Sequence, residues 1–182
     1  MLDSLQGKLL IAAPSLIDPN FVRSVVLIAA HSDEGALGLV LNRPLDTPLA
    51  VLAPVLEQLA EPGAVLHCGG PVAPESAVVL AEFADPSLAA LLIMGDVGLP
   101  SASCELSDLE AGVRRARVFA GHSGWGPGQL DSELEHEAWI VGQLAQDELW
   151  LADSTLLWST TLSRKGGAYA LLARMPSDPS VN

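Results

Sequence analysis

The sequence of 182 residues has few basic residues, few cysteines and no long apolar run, and each shortage excludes a class of protein. Nine lysine and arginine residues face 22 aspartate and glutamate residues, so the formal net charge of −13 opposes binding to the phosphate backbone of a nucleic acid. The two cysteines, Cys68 and Cys104, belong to no CxxC pair, which predicts free thiols and excludes a zinc ribbon or a thioredoxin-like site. No apolar run reaches the roughly 20 residues that cross a bilayer.

The remaining composition is typical of a globular domain with a substantial core. Hydrophobic residues make up 49% of the chain and charged residues only 17%, which excludes an intrinsically disordered protein. The N-terminal residues lack the basic region of a signal peptide. We therefore expect one cytoplasmic domain that spans residues 1–182 and has no membrane segment.

Short apolar runs alternate irregularly with segments of helical spacing along the chain. Residues 22–30 and 36–41 are rich in β-branched and apolar residues and are separated by a tight polar turn, which predicts an antiparallel hairpin. Apolar residues at helical spacing predict helices over residues 47–59 and 129–139. Residues 114–120 are predicted to form a strand. This irregular mixture favours an α+β fold.

A glycine-rich segment follows that last strand and predicts a sharp turn that leads into a helix. One interpretation is a G-x-S-x-G nucleophile elbow with Ser123 as the nucleophile, but Trp125 occupies the position of the last glycine, where the turn is most crowded. A second interpretation is an anion cradle at the start of the helix. It is disfavoured because Asp131, Glu133 and Glu135 lie in the first turns and repel phosphate.

A third interpretation of this segment is structural. The glycines permit a sharp turn, and Trp125 anchors the turn by burying its ring and donating its indole N–H to a partner. This structural interpretation leaves room for a ligand pocket beside the turn.

Two arginines in the predicted hairpin are candidates for an anion site. Arg23 stands in an otherwise apolar strand and Arg43 ends the strand that pairs with it. A guanidinium in such a setting favours a carboxylate, and Asp18 is a candidate partner. An exposed edge position and a small-anion site are the alternatives. The four histidines lack the spacing of metal ligands, so no metal site is predicted.

Four ordered motifs resemble those of the bacterial AlgH/YqgE family and cover essentially the whole chain. The resemblance implies an α+β single domain in which a bent, mixed or antiparallel sheet is partly closed into a barrel and flanked by helices. That family carries a transcriptional-regulator label from a link to alginate production, but the resemblance implies no reaction and no cofactor. At His122-Ser123 the chain departs from many members, which have Tyr-Ala. The motifs are Asp18-Pro-Asn-Phe-Val-Arg23 with Gly35-Ala-Leu-Gly-Leu-Val-Leu-Asn-Arg-Pro44, Gly69-Gly-Pro-Val72, Gly121-x-x-Gly-Trp-Gly-Pro-Gly-Gln-Leu130, and an extended tail, Met175-Pro-x-Asp-Pro-Ser-x-Asn182.

These observations predict a non-enzymatic module that binds a small ligand or a protein and has an indirect regulatory role. No catalytic residue, metal or cofactor is assigned. The alternatives are a hydrolase that uses Ser123 or Cys68 with a histidine, and a transcriptional regulator that binds DNA directly. Because unusual polar residues and glycines fall at strand ends, where loops converge, they form one candidate ligand-binding surface. Its members are Arg23, Asn42, Arg43, Gly69, Gly70, Gly121, Trp125 and Gln129.

Overall fold

A computed structural model of the chain describes residues 4–176, and a ten-stranded sheet is its main feature. The strands are β1 (Lys8–Ala12), β2 (Val25–Ser32), β3 (Gly35–Val40), β4 (Pro44–Pro48), β5 (Val65–Cys68), β6 (Val72–Phe83), β7 (Ala89–Met94), β8 (Val97–Pro100), β9 (Val113–Trp125) and β10 (Trp139–Gln143). The α-helices are α1 (Leu49–Leu52), α2 (Leu106–Gly112), α3 (Gln129–Glu135), α4 (Leu157–Lys165) and α5 (Ala168–Leu172). Short 3-10 helices lie at Pro54–Leu59, Pro86–Leu88, Gln146–Trp150 and Ser154–Leu156.

The long central strand β9 organises the sheet. The strand order along the main path is β10-β1-β2-β3-β9-β6-β8-β7, and β5 joins β9 outside this path. Strand β9 pairs antiparallel with β6 and, at its C-terminal end, with β3, whereas it pairs parallel with β5. The sheet is therefore mixed, as the family resemblance implied.

The sheet is curled into a half-barrel, so that its two ends approach each other. The side-chain amide of Gln6, just before β1, donates to the carbonyl of Leu92 in β7 over 2.9 Å. One core cluster fills the inner face and contains residues from both ends of the sheet, such as Leu9 and Ile93, together with Trp158 of α4. The α+β half-barrel confirms the expected fold class.

Both faces of β1 and β2 are buried, which explains their continuous apolar sequences. Leu9 and Ile11 point into the inner cluster, whereas Leu10 and Ala12 point to a second cluster on the opposite face. That second cluster is covered by α3 through Leu130. Successive side chains of a strand alternate between faces, so both faces must be apolar where both are covered.

The predicted hairpin is confirmed, but the first predicted helix is wrong. Strands β2 and β3 pair antiparallel around a turn at Asp33-Glu34, although β2 begins only at Val25. Residues 47–59 form the end of β4, four residues of α1 and a separate 3-10 helix. Pro54 explains the break, because proline lacks an N–H group and disfavours the α conformation of the residue before it; Ala53 has φ −144° and ψ 64°.

The second predicted helix is shorter than expected, and the strand before the glycines is longer. Helix α3 ends at Glu135 because Trp139 already pairs with Ala12 as the first residue of β10. Strand β9 continues past the predicted end at residue 120 as far as Trp125, with one left-handed residue at Gly121. The sharp turn therefore begins only at Gly126. Residues 177–182 of the predicted extended tail lie outside the described residues.

Three glycines mark a close crossing of two backbone segments between β5, β6 and β9. Gly69 donates its N–H to the carbonyl of Ala120 over 2.9 Å. A Cβ atom on Gly70 would collide with the backbone of His122, and one on Gly121 would lie 2.7 Å from the carbonyl oxygen of Val72. Gly121 also has φ +67°, which side chains other than glycine's rarely tolerate. The glycines of this crossing are required by close packing of the backbone.

We expect Gly121→Ala to destabilise the protein by roughly 2–5 kcal/mol, since it combines a left-handed backbone with overpacking. Gly124→Ala is the matched control on the same strand: its Cβ would meet only Val72 Cγ2 at 3.6 Å, an ordinary contact. The control should change the free energy of unfolding by less than about 0.5 kcal/mol. Urea denaturation of both variants checks this, and equal losses would contradict the role of the crossing.

Candidate functional site

The structure separates the eight sequence-predicted site residues into three places. Arg23, Asn42 and Arg43 line an open depression of about 340 Å³ beside α4. Trp125 and Gln129 lie with α3, where Trp125 belongs to the cluster on the outer face of the sheet. Gly69, Gly70 and Gly121 are buried in the backbone crossing. The depression beside α4 is thus lined by three of the eight residues, and a ligand-binding role for the set stays a prediction.

The expected ion pair between Arg23 and Asp18 is wrong. Arg23 precedes β2 in a left-handed conformation with φ +54°, which directs its side chain to α4 and the C-terminal segment. Its guanidinium lies 4.1 Å from the ring centroid of Trp158 and donates to the carbonyls of Met175 and Pro176. Asp18 instead accepts from the backbone N–H of Asn20.

The other two residues of that depression also bind backbone groups of the chain. Asn42 accepts from the N–H of Val25 and donates to the carbonyl of Arg23, both over 2.9 Å. Arg43 donates to the carbonyl of Val22 over 2.6 Å. Asn42 and Arg43 thus hold the entrance to β2 against the end of β3, whereas the Arg23 side chain holds the C-terminal segment.

Trp125 anchors the segment after β9, as the structural interpretation predicted. Its ring is only 6% exposed, and its indole N–H donates to Glu133 Oε2 over 2.9 Å. The same oxygen accepts from Trp139 Nε1 over 2.7 Å, and Glu133 Oε1 accepts from Gln129 Nε2. Phe21 stacks on Trp125 and meets Trp139 edge to face. One carboxylate of α3 thus joins β9 and β10, and Phe21 packs the loop before β2 against the two indole rings.

The geometry of a nucleophile elbow is absent at Ser123. This residue lies within the extended strand β9, and its buried hydroxyl donates to the carbonyl of Gly69 over 3.1 Å. Cys68 is a half-buried free thiol in β5. Neighbouring His67 contacts the carbonyl of Val65 and lies 3.5 Å from Ser154 Oγ. Within residues 4–176, no group of three or more His, Cys, Asp or Glu side chains lies close enough to hold a metal ion.

A cavity that the sequence did not reveal lies between β5, β9 and the 3-10 helix that ends at Trp150. It has a volume of about 260 Å³, and we call it the Arg117 cavity. Its polar side chains are Glu61, His67 and Arg117, and the Trp150 ring forms part of the wall. The other lining residues are Pro62, Gly63, Ala64, Val65, Ala116, Val118 and Ala152.

Two donors in the wall of this cavity are unused. Arg117 Nη2 donates to the carbonyl of Leu151 over 2.7 Å, but Nη1 is shielded from solvent and has no hydrogen-bond partner among the described residues. The same holds for Trp150 Nε1. Burial lowers the pKa of Arg117, and the negative charge of Glu61 opposes this shift. The guanidinium nevertheless stays charged, because its ordinary pKa is far above neutrality.

Arg117 differs from the other two arginines of β9 because both of them form ion pairs. Arg115 Nε donates to Glu82 Oε2 over 2.6 Å, and Arg114 forms ion pairs with Asp96 and Glu82. Arg117 forms no ion pair with any residue in the range 4–176. The sequence signalled a cluster of arginines but not which member is buried.

His67 contributes a neutral side chain to the cavity. It is 6% exposed, and burial, reinforced by the positive charge of Arg117, lowers its pKa from 6.5 to about 4. At neutral pH the imidazole is uncharged, so Arg117 is the only positive charge of the cavity and Glu61 its only negative charge.

The fold defines a class of α+β proteins in which a curled, mixed sheet is flanked by helices. The chain belongs to the AlgH-like family, whose model matches residues 9–170. It is similar to a UPF0301 protein of Streptomyces coelicolor, with 42% identity across 98% of this chain and 96% of the relative. A UPF0301 protein of Chlorobaculum tepidum is 33% identical across 97% and 95% of the two chains.

Two solved structures share the fold. Protein DIP2367 of Corynebacterium diphtheriae superposes with a TM-score of 0.85 at 25% identity, over 96% of this chain and 94% of that one. The solution structure of AlgH from Pseudomonas aeruginosa gives a TM-score of 0.70 at 28% identity, over 98% and 97%. As for membranes, none of the helices within residues 4–176 has both the length and the apolar character to span one.

We expect Glu133→Ala to lower the free energy of unfolding by about 2–4 kcal/mol, because two partly buried indole N–H groups lose their acceptor. Glu135→Ala, an exposed acidic residue on the same helix, is the matched control and should cost less than about 0.5 kcal/mol. Chemical denaturation followed by tryptophan fluorescence measures both. Similar losses in the two variants would refute the anchoring role of Glu133.

The lowered pKa of His67 makes stability depend on pH. The stability that the neutral imidazole contributes is fully present above pH 6.5 and is lost as the pH falls towards 4. In this range His67 is protonated in the unfolded chain but stays neutral in the folded chain. The difference amounts to at most about 3 kcal/mol. We expect His67→Gln to lose less stability than the parent protein between pH 6.5 and 4. Parallel urea titrations at several pH values test this, and identical slopes would contradict it.

Proposed function

We propose that this protein is a non-enzymatic, cytoplasmic binding module that takes a small ligand in the Arg117 cavity and acts indirectly in regulation through that ligand. The observation that carries the proposal is that two residues lining one cavity each have a buried, unused donor, Arg117 Nη1 and Trp150 Nε1. This places the binding site away from the surface expected from the sequence. A cytoplasmic location is consistent with the two free cysteines.

Energetic reasoning supports this choice of site. A buried donor without an acceptor costs about 1–3 kcal/mol, and more when it is charged. A ligand that supplies acceptors removes that cost. If these donors had only a structural role, we would expect neighbouring residues to supply the acceptors already. Pockets for small molecules combine apolar walls with a few polar groups, and Val65 and Val118 provide such walls here.

The alternatives lack a comparable feature. For the hydrolase, Ser123 is buried and its hydroxyl is already engaged with Gly69. For direct DNA binding, Arg114 and Arg115 are engaged with carboxylates, and the net charge of −13 repels a phosphate backbone. The depression beside α4 is a weaker candidate because its three polar side chains already bind backbone carbonyls or amides.

The test is a nuclear magnetic resonance titration of the protein with butyrate, butyramide, benzamide and inorganic phosphate. At least one compound should shift the Trp150 indole and Arg117 side-chain signals in a saturable way. Ala152→Trp, which fills the cavity from its rim, should abolish the shifts. Ala111→Trp, an exposed alanine of α2 outside the cavity, is the control and should leave them intact. If no compound shifts these signals, or if Ala152→Trp leaves them unchanged, the proposed site is rejected.

A further inference from the structure

The arrangement of donors and charge in the Arg117 cavity points to one chemical class of ligand. We propose that the cavity binds the carboxylate group of a small organic acid, with Arg117 and Trp150 as the two donors. This inference rests on the proposed ligand-binding function and adds the class of ligand to it.

Two unused donors call for a ligand group with more than one acceptor. Arg117 Nη2 is already bound to the carbonyl of Leu151, which fixes the guanidinium and leaves Nη1 without a partner in residues 4–176. Trp150 Nε1 can only donate a hydrogen bond, so the ligand must supply an acceptor atom for it. A carboxylate has two oxygens with several lone pairs, so it can accept from more than one donor.

The charged residues that line the cavity favour a ligand with one negative charge over a ligand with two. The half-buried Arg117 forms no ion pair within the described chain, and the more distant Glu61 compensates its charge only in part. His67 is neutral at pH 7 and adds no second positive charge. Glu61 lies at the same cavity and repels a second negative charge on the ligand. A carboxylate monoanion adds one negative charge beside Glu61, whereas a phosphate dianion adds two and is repelled more strongly.

The walls and volume limit the rest of the ligand. Around the polar groups the lining is formed by Val65, Val118, three alanines and the Trp150 ring, which suits a short hydrocarbon tail. The volume of about 260 Å³ lies just below the range typical of drug-sized ligands. A small organic acid therefore fits better than a nucleotide or a long-chain fatty acid.

The position of the Trp150 ring provides a direct signal of binding. Arg115, itself held by Glu82, lies 4.8 Å from the centroid of that ring. Trp150 Nε1 and Arg117 Nη1 are shielded from solvent, so a ligand reaches them only with a small rotation of these side chains. Binding should therefore change tryptophan fluorescence, and Trp150→Phe should remove that change.

Calorimetric titration with butyrate and with its uncharged isostere butyramide tests the inference. Butyrate should bind at least tenfold more tightly than butyramide and than inorganic phosphate. Arg117→Gln should weaken butyrate binding at least tenfold, whereas Arg114→Gln should leave it unchanged. Arg114 makes the matched control because it lies on the same strand, carries the same charge and does not line the cavity. Glu61→Gln should strengthen binding two- to fivefold by removing the repulsive charge.

Each outcome separates the inference from the function on which it rests. Butyramide or phosphate binding at the cavity as tightly as butyrate would overturn the carboxylate class and leave the binding module intact. Binding of none of the probes would overturn both. If Arg117→Gln fails to fold, as judged by circular dichroism, Trp150→Phe decides, because it removes one N–H donor and keeps Arg117. Unchanged butyrate affinity in Trp150→Phe, or in a folded Arg117→Gln variant, would overturn the assignment of donors.

Discussion

The close crossing of backbone at Gly69, Gly70 and Gly121 is the constraint on which the rest of the structure depends. Gly69 receives hydrogen bonds from the N–H of Val40 and the hydroxyl of Ser123, and donates to Ala120. It therefore joins β3, β5 and β9 at one point. Only backbone without Cβ atoms can approach so closely. The crossing also places β5 parallel to β9, with His67 opposite Phe119, and so sets one wall of the Arg117 cavity.

Two kinds of buried polar group occur in this protein, and they have different consequences. Glu133 is saturated, since it accepts from two indoles and an amide, and it stabilises the attachment of α3. Arg117 Nη1 and Trp150 Nε1, by contrast, have no hydrogen-bond partner among the described residues. Natural proteins tend to retain buried polar groups without partners at functional sites, where a ligand completes the hydrogen bonds. This contrast is the reason for placing function at the cavity and structure at the tryptophan cluster.

The residues that stand out in the sequence are mainly those that hold the fold together. Arg23, Asn42 and Arg43 close the chain around the entrance to β2, and Trp125 fixes the segment after β9. Glycines, tryptophans and arginines within apolar segments are conspicuous in a sequence because their physical requirements are strict. Strict requirements arise from packing as readily as from binding, so these residues alone did not locate a site.

Local patterns in the sequence determined the hairpin of β2 and β3, the α+β class and the need of Trp125 for a hydrogen-bond partner. They also determined that the charge opposes nucleic acid. The break at Pro54 was readable in principle, since its cause lies within neighbouring residues. Only the tertiary structure decided that β9 continues as a strand to Trp125 and that Glu133 is the partner of Trp125. It alone decided that Arg117, but not Arg114 or Arg115, is buried without a carboxylate. The physical reason is that the pairing register and the curl of a sheet set which distant side chains meet, and neither is encoded in a short stretch of sequence.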